Sequence, residues 1–472
     1  GGLLISLQHA TSRFTMGCAR DIGVELFTLY MRAPYTYHLG RNTSELIRNI
    51  QMETQRLSVL TIAPLLQVMI SSVLLIGICS TIVVAEPALA LAVILGGGAV
   101  GWLVLRTMRG AATRHGRRLT EQNGLLLKAA QESFGAFKDL YLRGTIPRMV
   151  RRVDDLMTRR ARSLYVQQFL TRAVKPVIET TGVLGLLLVP TVLVLSGASI
   201  IEIVPLMTLL GVVLARMLPT LNQFTQQLVL LRGNAYSLEI LHDEIQALRR
   251  SGVRPREAES MGHDELTFSR DIVLENVSFS YAGAERVAID ELSIVIRKGT
   301  SIAFVGATGS GKTTAVDLII GILYPASGRV VVDGCDIARC GRSWSSQIGY
   351  IPQSIYLLDD TIRRNVALAV PDEEIDEDAV WHALALAQLD GFVKGLPAGL
   401  DTVVGERGTR ISGGQRQRLG IARALYHNPA VLVLDEATSA VDNLTERRLM
   451  EALELARAGR TLIMVAHRLS TV

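Results

Sequence analysis

"TSIAFVGATGSGKTTAVDLIIGIL", residues 300 to 323, decides the fold of the second half of the chain. A short apolar run gives way to a glycine-rich loop with the spacing GxxxxGK[ST], and an apolar-periodic segment follows; that order predicts strand, loop and helix. Loops of this kind cradle phosphates. Gly306, Gly309 and Gly311 let the backbone approach an anion closely, and the helix start favours its charge. Lys312 is placed to reach the outer phosphates and Thr313 to hold magnesium, with Thr308, Ser310 and Thr314 completing the candidate ATP-contacting set.

Working outward, "AVLVLDEA" (residues 430 to 437) supplies a second buried strand that carries Asp435 to a sheet edge, where a carboxylate can orient a metal ion. Glu436 beside it is placed to polarise an attacking water. β-rich and helical runs alternate from "IVLENVSFSYAG" onward, which predicts an α/β domain with a largely parallel sheet.

The first half is a different material. The chain has 472 residues, is 49% hydrophobic and has a positive mean hydropathy, which predicts a membrane part. Val59 to Val84 and Ala88 to Leu105 are each long enough to cross hydrocarbon as a helix, separated only by a short turn; Pro176 to Leu195 and Ile200 to Leu218 form a second such hairpin. Between the hairpins, from Arg106 to Lys175, stand 16 Lys plus Arg against 5 Asp plus Glu. The excess of cations assigns that stretch to the cytoplasm and the two turns to the outside. A net charge of +5 is accounted for by this topology, and no nucleic-acid partner is expected.

Residues 1 to 58 hold no full apolar span, and their helical periodicity breaks at Pro34. Residues 241 to 265 turn charged and Gly- and Pro-containing, which predicts a connector. The expected division is a membrane domain over 1–240, a linker over 241–265 and a nucleotide-binding domain over 266–472. The three Asn-x-Ser/Thr sequons fall on the cytoplasmic side and are not expected to be glycosylated. Cys18, Cys79, Cys335 and Cys340 lack metal or disulfide spacing and are expected to be buried free thiols.

"ISGGQRQRLGIARAL" (residues 411 to 425), "VLVLDEATSAVD" (431 to 442), Gln353 in "YIPQS", Tyr281 in "FSYAG" and His467 in "VAHRLS" occur in the order of the nucleotide-binding domain of ATP-binding cassette proteins, which this region closely resembles. The resemblance implies that Tyr281 stacks on adenine, that Gln353 contacts magnesium and senses the membrane domain, and that His467 contacts the γ-phosphate. It implies that Ser412, Gly413, Gly414 and Gln415 close over ATP held by another copy, with Asp442 in the following loop, so that a homodimer builds both sites. Ile411 and Val441 replace the family's usual leucines.

The fused membrane hairpins and "VGERG" (404 to 408) resemble a half-transporter of the exporter class. That implies six helices per subunit, of which the first would precede this sequence, a shortened C-terminus, and coupling helices near Pro34 to Ser44 and Arg143 to Val150. The expected fold is therefore multidomain, an all-α transmembrane domain of exporter type joined to an α/β P-loop cassette ATPase.

"YHLGRNTSELIRNI", "FGAFKDLYLRG", "VLARMLPTLNQF" and "IGYIPQSIYLLDDTI" resemble bacterial lipid-linked oligosaccharide flippases more narrowly. That implies ATP-driven movement of a lipid-linked glycan or a similar amphipathic acidic lipid across the bacterial inner membrane. Independently, Arg216, Thr220, Gln223 and Gln227 recur at steps of 4, 3 and 4, as do Gln168, Arg172, Lys175 and Glu179. Each set shares one helical face. Lys175, Arg216, Thr220 and Gln223 are the candidate cavity residues, against the alternative that they anchor helix ends at the interface. Arg216 lies 16 residues after Ile200, about 24 Å down its helix and near the inner headgroups. Export of a peptide or hydrophobic compound, or a membrane-anchored ATPase without transport, are the competing expectations.

Overall fold

The structure, a computed structural model, describes residues 2–195, 197, 200–250, 266–284, 286–435, 457 and 459–466. The chain divides into two compact units, Gly1–Ala33 with Gly40–Val253, and Pro34–Leu39 with Arg254–Val472.

The first unit is helical. α1 (Gly2–Arg32) stops just before Pro34, which disfavours helix at the residue preceding it; the short α2 (Tyr35–Leu39), next in sequence, belongs to the second unit. α3 (Thr43–Arg48) opens where the Asn42 side chain accepts the Ser44 N–H at 3.0 Å, satisfying a helix-start donor. It continues through a π-helical turn (Asn49–Glu53), α4 (Thr54–Leu57), a second π turn (Ser58–Ile62) and α5 (Ala63–Ala85). α6 (Pro87–Gly135), the short α7 (Phe137–Leu142), α8 (Ile146–Leu195) and α9 (Ile200–Arg250) complete the unit.

Among the described residues, three helical stretches are long and apolar enough to cross a membrane, Thr43–Val84, Ile146–Val192 and Ile203–Arg250, and Ile94–Met108 is a shorter apolar stretch. α6, α8 and α9 hold 49, 50 and 51 residues. At 1.5 Å per residue each is about 75 Å long, more than twice the hydrocarbon thickness. The basic stretch between the hairpins is thus not loop but continuous helix, interrupted at Ala136 and around Gly144. The short helix there is α7, which ends one residue before Arg143, earlier than the expected coupling segment. Likewise α9 runs on to Arg250 through the first ten residues of the expected linker, because Leu241 and Leu248 are buried on its inner face; residues 251–265 lie outside the described residues.

Val104 and Ala112 of α6 pack with Val174 and Ile178 of α8 and Val229 of α9. Ile82 of α5 joins Ala90, Val213 and Met217 in a second cluster. One approach is backbone on backbone: a Cβ placed on Gly116 of α6 would lie 1.7 Å from the Gly233 carbonyl oxygen of α9. Small residues at a helix crossing allow this proximity.

The second unit holds two sheets. β1 (Asp271–Phe279), β2 (Ile289–Arg297), β4 (Ser327–Val332) and β5 (Cys335–Asp336) form an antiparallel sheet ordered β2-β1-β4-β5. β3 (Ser301–Val305), β6 (Ile348–Ile351), β7 (Val431–Asp435) and β8 (Thr461–Ala466) form a parallel sheet ordered β3-β8-β7-β6. α10 (Lys312–Ile319) and α11 (Ile337–Ser345) join one core, where Trp344 is fully buried and its Nε1–H donates to the Ile319 carbonyl at 2.8 Å. α12 (Ile362–Val366), α13 (Glu377–Leu386), α14 (Asp390–Lys394) and α15 (Gly413–Leu425) surround a second core of aliphatic side chains, including Leu357, Leu384 and Val393.

The four cysteines are free thiols, but only Cys340 is buried; Cys18, Cys79 and Cys335 are half-exposed. Burial beside Cys335 pushes the Cys340 thiol up to about 12, which keeps it protonated and unreactive.

Candidate functional site

The phosphate-type loop forms where β3 hands over to α10, as the sequence order requires. Gly306, Gly309 and Gly311 have φ of 154°, 82° and 87°. Gly311 is doubly constrained, because a Cβ there would stand 2.5 Å from the Ala288 carbonyl oxygen; only glycine combines that φ with that approach. Lys312 is 8% exposed, and its Nζ donates to the carbonyls of Gly306 and Ala307 at 3.0 Å each. A buried ammonium folded onto its own loop holds the cradle open around a positive centre.

Thr308, Gly309, Gly311, Lys312, Thr313 and Thr314 line one cavity of about 420 Å3 together with Tyr281 and Arg286. Gly306 and Ser310 shape the loop behind it: a Cβ on Gly306 would touch the Ser310 Oγ at 3.0 Å. Tyr281 is fixed by an edge-on contact with Phe279, ring centroids 5.0 Å apart, and by a 3.1 Å hydrogen bond between its hydroxyl and Thr314 Oγ1. Its ring can thus flank a planar base while the loop holds phosphates.

Parallel pairing brings the remaining elements to the same edge. β7 is buried along its length and ends at Asp435, whose Oδ1 accepts from Thr313 Oγ1 at 3.5 Å. β6 pairs with it through Ile351 and Leu434, so Gln353, exposed two residues beyond Ile351, emerges beside Asp435. The carboxyl ends of parallel strands are where such sheets bind ligands. Glu436, Asp442 and His467 lie outside the described residues.

Two residues at this edge escape sequence reasoning. Burial and the neighbouring Asp435 push Asp317 up to about 6. Burial, with Asp435 and Asp317 close by, also raises the Tyr350 hydroxyl above its ordinary value. An acid inside the apolar "AVDLII" was the available signal for Asp317; nothing in the sequence marks Tyr350.

Ser412 begins α15 as a capping box: its Oγ accepts the Gln415 N–H at 3.2 Å, and Gln415 Oε1 accepts the Ser412 N–H at 2.8 Å. Ser412 and Gly413 are exposed, with Gly414 and Gln415 half-exposed, and none of the four is among the described residues lining the phosphate cavity.

In the helical unit, Lys175, Arg216 and Gln223 are exposed and Thr220 is half-buried. Lys175 Nζ lies 3.8 Å from Glu179 Oε1, and the Thr220 hydroxyl donates to the Arg216 carbonyl at 3.0 Å. Both polar sets lie on continuous helix, Gln168 to Glu179 on α8 and Arg216 to Gln227 on α9.

Residues 289–439 match the ABC transporter family. Over 204 residues, 43% of this chain and 34% of the relative, the sequence is 46% identical to the ATP-dependent lipid A-core flippase of Cupriavidus metallidurans. That alignment spans about a third of the relative's length. Similarity to the ATP-dependent lipid A-core flippase of Burkholderia pseudomallei extends further, 30% identity over 480 residues, 99% of this chain and 76% of that protein. The multidrug resistance ABC transporter ATP-binding and permease protein of Lactococcus lactis is 36% identical over 289 residues, 61% of this chain and 46% of that one. In fold, a bacterial Atm1-family ABC exporter solved with ATP bound superposes with a TM-score of 0.81 at 24% identity, covering 100% of this chain and 81% of that chain. With a phosphate-cradling ATPase unit following long apolar helices, and with whole-chain similarity to proteins of the same build, this chain belongs to the ABC transporters.

Proposed function

We propose that the protein is an ATP-driven exporter of the bacterial inner membrane that flips an acidic, lipid-linked substrate, most specifically a lipid-linked oligosaccharide, with its nucleotide-binding unit in the cytoplasm. The observation that carries the lipid reading is similarity along 99% of the chain to a protein named a lipid A-core flippase. The cationic faces around Lys175 and Arg216 agree with an anionic headgroup, since guanidinium binds phosphate bidentately.

In this reading ATP binds with its base on Tyr281 and its phosphates in the loop from Gly306 to Thr314, drawn by Lys312 and the N–H groups at the start of α10. Thr313, Gln353 and Asp435 would hold Mg2+, which neutralises charge on the phosphates during transfer. The 3.5 Å approach of Thr313 to Asp435 and the acidic pair Asp435 and Asp317 suit a divalent cation. Glu436, next in sequence to Asp435, orients the attacking water and His467 contacts the γ-phosphate. Ser412 to Gln415 and Asp442 act on the site of a second copy, which makes the homodimer the working unit. Ser412 to Gln415, which are described, are not among the residues lining the cavity of their own copy, which supports that division.

Drug export is the second reading, favoured by the Lactococcus relative's name and by an apolar cavity of about 180 Å3 bordered by Gly97, Gly182 and Met217. Flipping assays in proteoliposomes separate the two. Arg216→Ala is expected to retain ATP hydrolysis and lose most movement of a polyprenyl-pyrophosphate glycan, at least about tenfold, the loss of one good charge-assisted contact. Normal glycolipid flipping by that variant would refute the role of Arg216, and ATPase stimulation by hydrophobic drugs alone would favour the second reading.

A further inference from the structure

The helix carrying Arg56 leaves α geometry twice, in the π turns Asn49–Glu53 and Ser58–Ile62. Such turns widen a helix, re-aim its side chains and recur at functional positions. Here they bracket α4 and accompany a cavity of about 480 Å3 that α4 shares with α6, α8 and α9, a volume within the range of small-molecule sites. Gln55 and Arg56 line it from α4, Asn123 from α6, and Arg160, Gln168 and Arg172 from α8. Three guanidinium groups and four amides, Gln167 included, line one space, and among the described lining residues there is no carboxylate.

The cluster is built rather than incidental. Arg56 has only 13% of its side chain exposed, and its Nη1 donates to Thr120 Oγ1 at 2.6 Å. Arg160 Nε donates to Asn123 Oδ1 at 2.7 Å. Arg56 and Arg160 are each anchored through one N–H and keep others for a ligand, because guanidinium carries five donors, and Arg172 lines the cavity from an exposed position. Glu53, fully buried 3.8 Å from Arg56 Nη1, is the nearby counter-charge; neither of its oxygens accepts a hydrogen bond. One carboxylate against three arginines leaves positive charge in excess around the cavity, which favours an anion there.

We propose that this cavity is a binding site for a phosphate or diphosphate group, carried on a lipid headgroup or free in solution. Lys175, Arg216, Thr220 and Gln223 are absent from its described lining, while Gln168 and Arg172 share the helical face of Lys175, so the site adjoins the proposed transport face without including its candidate residues. The three arginines supply the paired donors that phosphate oxygens accept.

The test uses the full chain in phosphatidylcholine nanodiscs, with excess ADP to fill the nucleotide site. Three probes are titrated: radiolabelled inorganic pyrophosphate, farnesyl pyrophosphate and, lacking the anion, farnesol. The double variant Arg160→Gln/Arg172→Gln, checked for wild-type elution and nucleotide binding, is expected to bind pyrophosphate-bearing probes at least tenfold more weakly with farnesol unchanged. Loss for both anionic probes identifies free diphosphate as sufficient, and binding of farnesyl pyrophosphate alone identifies the lipid-borne group. Unaltered affinity in the double variant overturns the proposal, as does the lack of any ADP-resistant anion binding by the wild type. Loss caused by Lys175→Gln/Arg216→Gln while the first variant binds normally also overturns it, by moving the anion to the transport face. Because flipping by Arg216→Ala is a separate measurement, failure of the flippase reading and failure of this site give different results.

Discussion

Asp317 illustrates how a single residue is set by its position at the sheet edge. Its carboxyl sits between the buried end of α10 and Asp435, and its titration rises from the ordinary 3.8 to about 6. A raised carboxylate binds protons more tightly folded than unfolded, so its effect is destabilising above about 6 and is relieved as pH falls towards 4. In EDTA and without nucleotide, Asp317→Asn is therefore expected to stabilise the fold at pH 7.5 by an amount on the order of 1–2 kcal/mol, seen as a higher unfolding midpoint. At pH 4 the difference should vanish. A scanning-fluorimetry series across that range checks it; an equal shift at both pH values would point to packing instead.

Helix lengths and helix contacts carry the next level of organisation. Gly116 and Gly233 bring α6 and α9 into backbone contact, and a Cβ on Gly116 would meet the Gly233 oxygen at 1.7 Å. Gly116→Ala is expected to force these helices apart and destabilise the helical unit by about 3 kcal/mol, at the upper end for overpacking. Reduced thermal stability of the detergent-purified protein is the readout. Ala at Gly185, where an added Cβ meets nothing within 4 Å, should be neutral in the same assay. In α15, the Ser412 and Gln415 capping box positions the signature residues while stabilising the helix start. Ser412→Ala should cost about 1 kcal/mol of local stability, seen as faster amide exchange in the first turn of α15.

At the scale of the whole molecule, the proposed arrangement of two copies makes a prediction that no single site can. Lys312→Ala removes the cradle cation and Ser412→Arg blocks the signature surface, so each variant alone should be almost inactive as an ATPase. Co-expressed with different tags and purified as mixed dimers, they should regain hydrolysis, because one composite site then has an intact cradle from one copy and an intact signature from the other. Mixed dimers no more active than the separate variants would exclude a site shared in this way.

Legibility followed the physics of each feature. "GATGSGKTT" and "VLVLDE" could be read directly because a phosphate loop needs glycines, a lysine and a hydroxyl at fixed spacing, and a central parallel strand needs an unbroken apolar run. The membrane hairpins were equally plain, since hydrocarbon demands long apolar helices. Less was visible where contact partners are distant in sequence. Asp317 and Tyr350 gain their perturbed titration from burial in the folded chain and from Asp435, which lies 118 residues beyond Asp317. The cavity of Arg56, Arg160 and Arg172 needs α4, α6, α8 and α9 to converge, and its π turns have no sequence signature. The sequence by itself determined the local chemistry, an ATP cradle and membrane-length helices, because those depend on neighbours a few residues apart. Only the tertiary structure decided how far the helices run past the apolar spans and which charges share a space, because packing between distant segments fixes both.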